Sequence, residues 1–172
     1  MKINKKFVFL VLPILAGVLV IDLLTKQYIA MPIPLYEIRQ IIPGLINFTH
    51  YENDGAAWNI FSGDRTFLII ISIVFIILLG VFYFFERKNG VLFHISIALI
   101  FGGAIGNMVD RFFLGYVRDF IQFDFWKNFP VFNVADMALT IGVVIMIVYY
   151  VISLFKRGEN ARKNWDTNWQ CR

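Results

Sequence analysis

Residues 107–120 read NMVDRFFLGYVRDF. Immediately before them, residues 91–106 read VLFHISIALIFGGAIG, without an Asp, Glu, Lys or Arg. An apolar run continued to residue 111 approaches the roughly 20 residues that a helix needs to cross a bilayer. The run then stops at Asn107, Asp110 and Arg111, and Arg118 and Asp119 follow within a few residues. Charge is expensive inside lipid, so this cluster marks the edge of a membrane span and singles itself out as functional.

Working outward, three further windows have the same character. The spans fall at about residues 7–28, 66–85, 91–111 and 134–155 of one integral-membrane domain covering residues 1–172. The composition agrees: 59% of residues are hydrophobic and 17% aromatic, with a mean hydropathy of +0.68. A soluble domain of this length cannot bury so much apolar surface. Backbone inside lipid must satisfy its own hydrogen bonds, so the spans are expected to be helices. The first window, MKINKK followed by FVFLVLPILAGVLV, has the outline of a signal peptide. It lacks an A-x-A site, and Val18 stands where a lipoprotein would carry cysteine, so we read it as a retained anchor. Pro13 is a candidate kink within it.

Orientation follows from the basic residues. Lys2, Lys5 and Lys6 precede the first span, Arg87 and Lys88 sit between the second and third, and Lys156, Arg157, Arg162, Lys163 and Arg172 follow the fourth. With four spans these segments share one side, which should be cytoplasmic. Outer loops then lie at about residues 30–65 and 112–133, with a basic tail at 156–172. In the first loop, EIRQII and LINFTHY read as strands flanking the Pro43-Gly44 turn, which suggests a small extracytoplasmic sheet. The second loop is crowded with Phe and suits the headgroup level. The tail reads as disordered or lying on anionic lipid.

The polar residues converge. Asp22 and Lys26 close the first span, Asn53 precedes GAAW, and Asn107, Asp110 and Arg111 close the third. Asp119 follows a turn at Gly115, and Asn133 and Asp136 open the fourth span. All fall at the outer edge of the membrane. Each also has a plain structural reading. Asp22 and Lys26, four apart, either neutralise each other or serve a wider role. Asn107, Asp110 and Arg111 share a face with Gly102, Gly103 and Gly106, which reads first as close helix packing with a polar clamp. Asn133 and Asp136 have the spacing of a capping box. Asp119 has no helical partner and is expected to pair with Arg111 or Arg118. Asp124 is read as solvated, and His50 and His94 as structural.

Several chemistries are disfavoured. The single cysteine, Cys171, offers neither a disulfide nor a metal pair, and the two histidines do not form an HExxH motif. No metal or cofactor is expected. There is no basic stripe interleaved with aromatics, so nucleic acid is a poor partner. Carboxylates remain. Two Asp side chains held close together share a proton, which suits hydrolysis of a peptide bond. A transporter or a helix scaffold are the competing classes.

Taken in order, NDGAAW, GGAIGNMVDR, GYVRDF and FNVADM resemble the lipoprotein signal peptidase (signal peptidase II) family of bacteria. The resemblance reaches from DLLTK in the first span to the fourth. It implies four transmembrane helices with a small β-structured cradle on the extracytoplasmic face. It also implies an aspartic endopeptidase of the bacterial cytoplasmic membrane that cuts diacylglyceryl-modified prolipoproteins just before the lipidated cysteine. Its catalytic dyad matches Asp119 and Asp136. Asp22, Lys26, Asn53, Gly55, Asn107, Asp110, Arg111 and Asn133 match positions that shape the site. The expected partners are the lipid-modified substrate and membrane lipid, with the enzyme a monomer. Trp58, Arg118 and Met137 depart from the usual pattern; Arg118 is expected to point toward the headgroups.

Overall fold

The computed structural model describes residues 5, 7–56, 60–86 and 90–170. The sequence features at Lys2, Lys6, Trp58, Arg87, Lys88, Cys171 and Arg172 lie outside them. Among the described residues four helices are long and apolar enough to cross a membrane: Phe9–Ala30, Arg65–Glu86, Val91–Phe113 and Val134–Lys156.

The first is built in three parts, a π-helical turn at Phe7–Val11, helix α1 at Leu12–Thr25 and a second π-helical turn at Lys26–Ala30. Pro13 is the second residue of α1, directly after the first π-helical turn; prolines and π-bulges are both places where helices bend. The second π turn closes with Met31 N–H on the Lys26 carbonyl, five residues back. Such widened turns often mark functional positions, and this one begins at a fully buried lysine. Helix α2, Arg65–Glu86, turns much of its surface outward and carries an almost unbroken apolar sequence.

Helix α3, Val91–Phe113, is the centre of the bundle and packs against α1, α2 and α4. Its small residues explain how. A Cβ on Gly102 would meet Val18 at 2.8 Å, and one on Gly106 would meet Asp22 Oδ2 at 2.7 Å. A Cβ on Gly103 would collide with the Ala135 carbonyl oxygen. Close backbone approach of this kind is what holds helices together where lipid removes the usual hydrophobic drive.

Three antiparallel strands form one sheet in the order β1 (Ile38–Ile42), β2 (Ile46–Asn53) and β3 (Val117–Phe123). The first two match the expected strands. Pro43 and Gly44 make the turn between them: Gly44 has φ +73° and Leu45 N–H donates to the Ile42 carbonyl at 3.0 Å, a Pro-Gly type II arrangement. Strand β3 falls inside the second outer loop, where the Phe-rich composition concealed it. Its partner β2 carries one extra residue between Phe48 and Tyr51, a bulge opposite Phe120 and so beside Asp119.

One further feature differs from expectation, and a second adds a role to a residue read as solvated. Helix α4 runs Val134–Gln170, so the basic tail continues the helix. Asp124 is an anchor: its carboxylate accepts from Gln40 Nε2, Gly44 N and Asn47 Nδ2 at 2.9–3.2 Å, tying the end of β3 to the β1–β2 turn. These donors hold its carboxyl below the usual range, the Asn47 amide first.

Replacing Gly103 with Ala forces apart two backbones that cannot yield by a rotamer change. Overpacking costs of about 1–3 kcal/mol apply, so the thermal midpoint of Gly103→Ala in detergent should fall by about 5 °C or more. An unchanged midpoint contradicts the tight α3–α4 contact.

Candidate active site

Each candidate residue is placed by the chain's own turns. Helix α3 ends with Leu114 N–H on the Asp110 carbonyl and Gly115 N–H on the Arg111 carbonyl. Gly115 has φ +96°, the left-handed cap that glycine adopts without strain. This reversal sends β3 back over the end of the bundle and delivers Asp119. Beyond β3 the chain returns, and Phe132 exchanges backbone hydrogen bonds with Ile121 at 2.8 and 3.0 Å. Asn133 is thereby fixed next to Asp119.

Asn133 and Asp136 make a reciprocal cap at the head of α4. Asp136 N–H donates to Asn133 Oδ1 at 2.9 Å, and Asn133 N–H donates to Asp136 Oδ2 at 3.1 Å. The Asn133 side-chain amide remains free to act outward, and it donates to Asp119 Oδ1 at 2.6 Å and Asn107 Oδ1 at 3.0 Å. One residue therefore touches both Asp119 and Asp136. Asn107 Nδ2 donates to Asp136 Oδ1 at 2.7 Å, and Asn53 Nδ2 donates to Asp119 Oδ2 at 2.9 Å. Every oxygen of the two carboxylates accepts from an amide N–H, and among the described residues no cation lies within ion-pair distance of either one, although the charges of Arg111 and Lys26 are felt at both. The expected partners of Asp119, Arg111 and Arg118, are instead engaged elsewhere.

Asn53 is held in turn, its Oδ1 accepting from Gly55 N–H at 3.0 Å, while Arg111 Nη2 donates to the Gly55 carbonyl at 2.8 Å. Arg65, which the sequence reading passed over, donates from Nε and Nη2 to the Arg111 and Phe112 carbonyls at 3.0 and 2.6 Å. It adds a second donor to the Arg111 carbonyl and supplies one to the Phe112 carbonyl at the end of α3. Its place as the first residue of α2 was the available signal.

Beneath the carboxylates lies a buried charge cluster. Lys26 Nζ contacts Asp22 Oδ2 at 2.7 Å, Asn107 Oδ1 at 3.2 Å and Asp110 Oδ2 at 3.3 Å. Asp22 Oδ1 accepts from Ala135 N–H at 2.9 Å, so this carboxylate also serves the positive end of α4. Arg118 corrects an expectation. It does not reach for headgroups but is 8% exposed and grips Asp110, Nη2 to Oδ1 at 2.7 Å and Nε to Oδ2 at 3.3 Å. The reason is local: the α3 turn leaves Asp110 buried under β3, and a buried carboxylate needs compensation.

Asn53, Asn107, Arg111, Asp119 and Asp136 line one cavity of about 290 Å³. A larger apolar cavity of about 590 Å³ adjoins it, between the sheet and α4, and Phe129, Phe132, Asp136 and Thr140 border both. Burial, followed by the neighbouring charge of Asp136, pushes the Asp119 carboxyl up to about 8. Neither His50 nor His94 lines either cavity, and each has Nδ1 on a backbone carbonyl, Ile33 at 3.1 Å and Gly90 at 2.8 Å. Among the described residues no group of three or more His, Cys, Asp or Glu is arranged to hold a metal ion.

The sequence profile of Signal peptidase (SPase) II, peptidase A8, matches residues 14–152. This chain belongs to the signal peptidase II family. The lipoprotein signal peptidase of Staphylococcus haemolyticus is 41% identical over 146 residues, 84% of this chain and 92% of the relative. That of Lactobacillus johnsonii is 42% identical over 149 residues, 86% and 94% of the two chains. Two solved structures described as bacterial membrane enzymes superpose with TM-scores of 0.78 and 0.75, each at 37% identity. They cover 93% and 86% of this chain and 96% of their own. Signal peptidase II membership makes the protein a peptidase with a multi-pass membrane fold, and the cavity that holds Asp119 and Asp136 is the candidate for its chemistry.

An ordinary Asp is ionised above about pH 4. Asp119 should keep its proton up to about pH 8 and ionise above it. Infrared spectra should show a protonated-carboxyl band that fades with that midpoint and is missing from Asp119→Asn. A band titrating near pH 4 contradicts the shared burial of the two carboxylates.

Proposed function

We propose that the protein removes the signal peptide from diacylglyceryl-modified prolipoproteins by cutting just before the lipidated cysteine, with Asp119 and Asp136 as the catalytic pair. The observation that carries this reading is the shared Asn133, which donates to both carboxylates at the wall of one cavity.

The pair titrates as one unit with a single proton between its members. The ionised carboxylate takes a proton from water as the water oxygen attacks the carbonyl carbon. The protonated carboxyl gives its proton to the carbonyl oxygen, and a tetrahedral diol forms. The diol then gives one hydroxyl proton to the ionised carboxylate as its C–N bond breaks and the protonated carboxyl donates to the departing amine, so the pair keeps one proton throughout. Asp119 is suited to be the resting holder of that proton, because it stays neutral up to about pH 8. Amide donors orient both carboxylates without neutralising them, which leaves their charge available to the reaction.

The surroundings support the substrate class. The apolar cavity, lined by Ile41, Ile42, Phe48, Ile121 and Met137 among others, opens beside Asp136. Such a space suits acyl chains or an apolar signal segment arriving from the bilayer. The basic residues at both ends of the chain and between the second and third spans support a cytoplasmic side for those segments. The sheet and the carboxylate pair then lie at the extracytoplasmic edge, where water is at hand.

The test is cleavage of a diacylglyceryl-modified prolipoprotein and its unlipidated twin by the purified protein. Only the lipidated form should be cut, yielding a product that begins with the modified cysteine. Asp119→Asn and Asp136→Asn should each lower the rate by about 10³-fold or more while remaining folded. Full activity in either variant reassigns the pair, and equal cleavage of both substrates removes the lipid requirement.

A further inference from the structure

Arg118 lies outside the reacting cavity but inside the charge cluster beneath it. Its guanidinium holds both oxygens of Asp110, and its own backbone N–H donates to Asp110 Oδ2 at 3.1 Å. That same oxygen lies 3.3 Å from Lys26 Nζ. Lys26 also contacts Asp22 and the side-chain oxygen of Asn107, whose Nδ2 donates to Asp136. Asp22 and Asp110 against Lys26 and Arg118 sum to zero charge. Without Arg118 the cluster carries one net negative charge against the carboxylate pair, and among the described residues Lys26 is the one cation left within ion-pair distance of Asp110, with the charge of Arg111 acting from farther off.

We propose that Arg118 is a positioning residue: by compensating Asp110 it leaves Lys26 seated on Asp22 and Asn107, and so sets the pH range in which the Asp119–Asp136 pair keeps its shared proton. The link runs through Lys26, whose charge is felt at both carboxylates. The other ionisable groups around them are few. Glu52 stands across from Arg118 in β2, Tyr116 precedes it by two residues, and Arg111 lines the cavity from α3. From α2, Arg65 is committed to backbone carbonyls. None of these replaces the guanidinium on Asp110.

The inference rests on the catalytic pair proposed above, and its test is arranged to separate the two. The full chain is compared as wild type, Arg118→Leu, Arg118→Lys and the double variant Arg118→Leu/Asp110→Asn. Cleavage rate against pH and the infrared titration of Asp119 are both recorded. Added negative charge favours the protonated carboxyl. In Arg118→Leu the alkaline limb of kcat/KM and the infrared midpoint should therefore both move up by about 0.5–1 pH unit. KM should stay within about twofold, since an interaction removed away from bound substrate acts on kcat. Arg118→Lys should bring both back, and so should the double variant, which removes the unbalanced charge.

A uniform loss of rate with neither midpoint moved overturns the inference and leaves Arg118 as support for β3. If Arg118→Leu does not fold, the lysine and double variants decide: midpoints at the wild-type value sustain the inference, and an upward shift in the double variant overturns it. Because the infrared titration needs no substrate, a protein that cleaves nothing refutes the proposed function while still giving an answer here.

Discussion

Lys26 carries a charge into a place that water does not reach, with none of its surface exposed. An uncompensated charge there is costly enough to displace the fold, and breaking a buried ion pair by removing one member costs about 3–5 kcal/mol. Every neighbour of Lys26 is placed to meet this demand. Asp22 comes from one turn earlier on the same helix, while Asp110 and Asn107 come from the end of α3. Asp22 then holds the first turn of α4 through Ala135 N–H. Three membrane helices are thus fixed to one another at one end by hydrogen bonds that have little freedom to rearrange. The glycines of α3 allow it: a side chain at Gly106 would occupy the space of the Asp22 carboxylate.

This rigid floor explains how two carboxylates can be kept close together without a cation between them. Asp136 belongs to the helix cap, and Asp119 belongs to a strand that returns over it after the Gly115 turn. Asn107 and Asn133 orient them from below and beside, and Asn53 reaches in from β2. Amides supply direction with no net charge. Burial and the neighbouring charge of Asp136 then outweigh the amide donors and the more distant Lys26, and Asp119 holds its proton far above the ordinary range. The sheet has two roles in this arrangement: its bulge sits beside Asp119, and one of its faces walls the apolar cavity next to Asp136.

Much of this was legible in the sequence because lipid imposes strong rules on it. Uncharged runs of about 20 residues can be little other than spanning helices, and polar residues at their ends stand out against them. That is why Asp22, Lys26, Asn107 and Asp136 stand out in the sequence alone. The capping-box spacing of Asn133 and Asp136 also described a real cap, though it did not reveal the second use of Asn133 as a donor to Asp119. Strand β3 was hidden because aromatic residues suit both strands and headgroups. The placement of Arg118 was misread for a related reason. A cation near a membrane edge is expected to reach for water, and only the fold shows that Asp110 is buried within its grasp. Asp124 is solvated as expected, but its anchoring role was hidden because its partners, Gln40, Gly44 and Asn47, are far away in the chain.

The central claim is that Asp119 and Asp136 act on one reacting centre with one proton between them. It is tested most directly by a lipidated peptide whose scissile amide is replaced by a hydroxyethylamine unit, bound to the wild-type protein and solved as a complex. The account predicts that the hydroxyl lies between the two carboxylates, hydrogen-bonded to both, and that this peptide binds at least about 10²-fold more tightly than one with a matched non-cleavable amide lacking the hydroxyl. A hydroxyl resting away from either carboxylate, with no gain in affinity over the matched peptide, contradicts it.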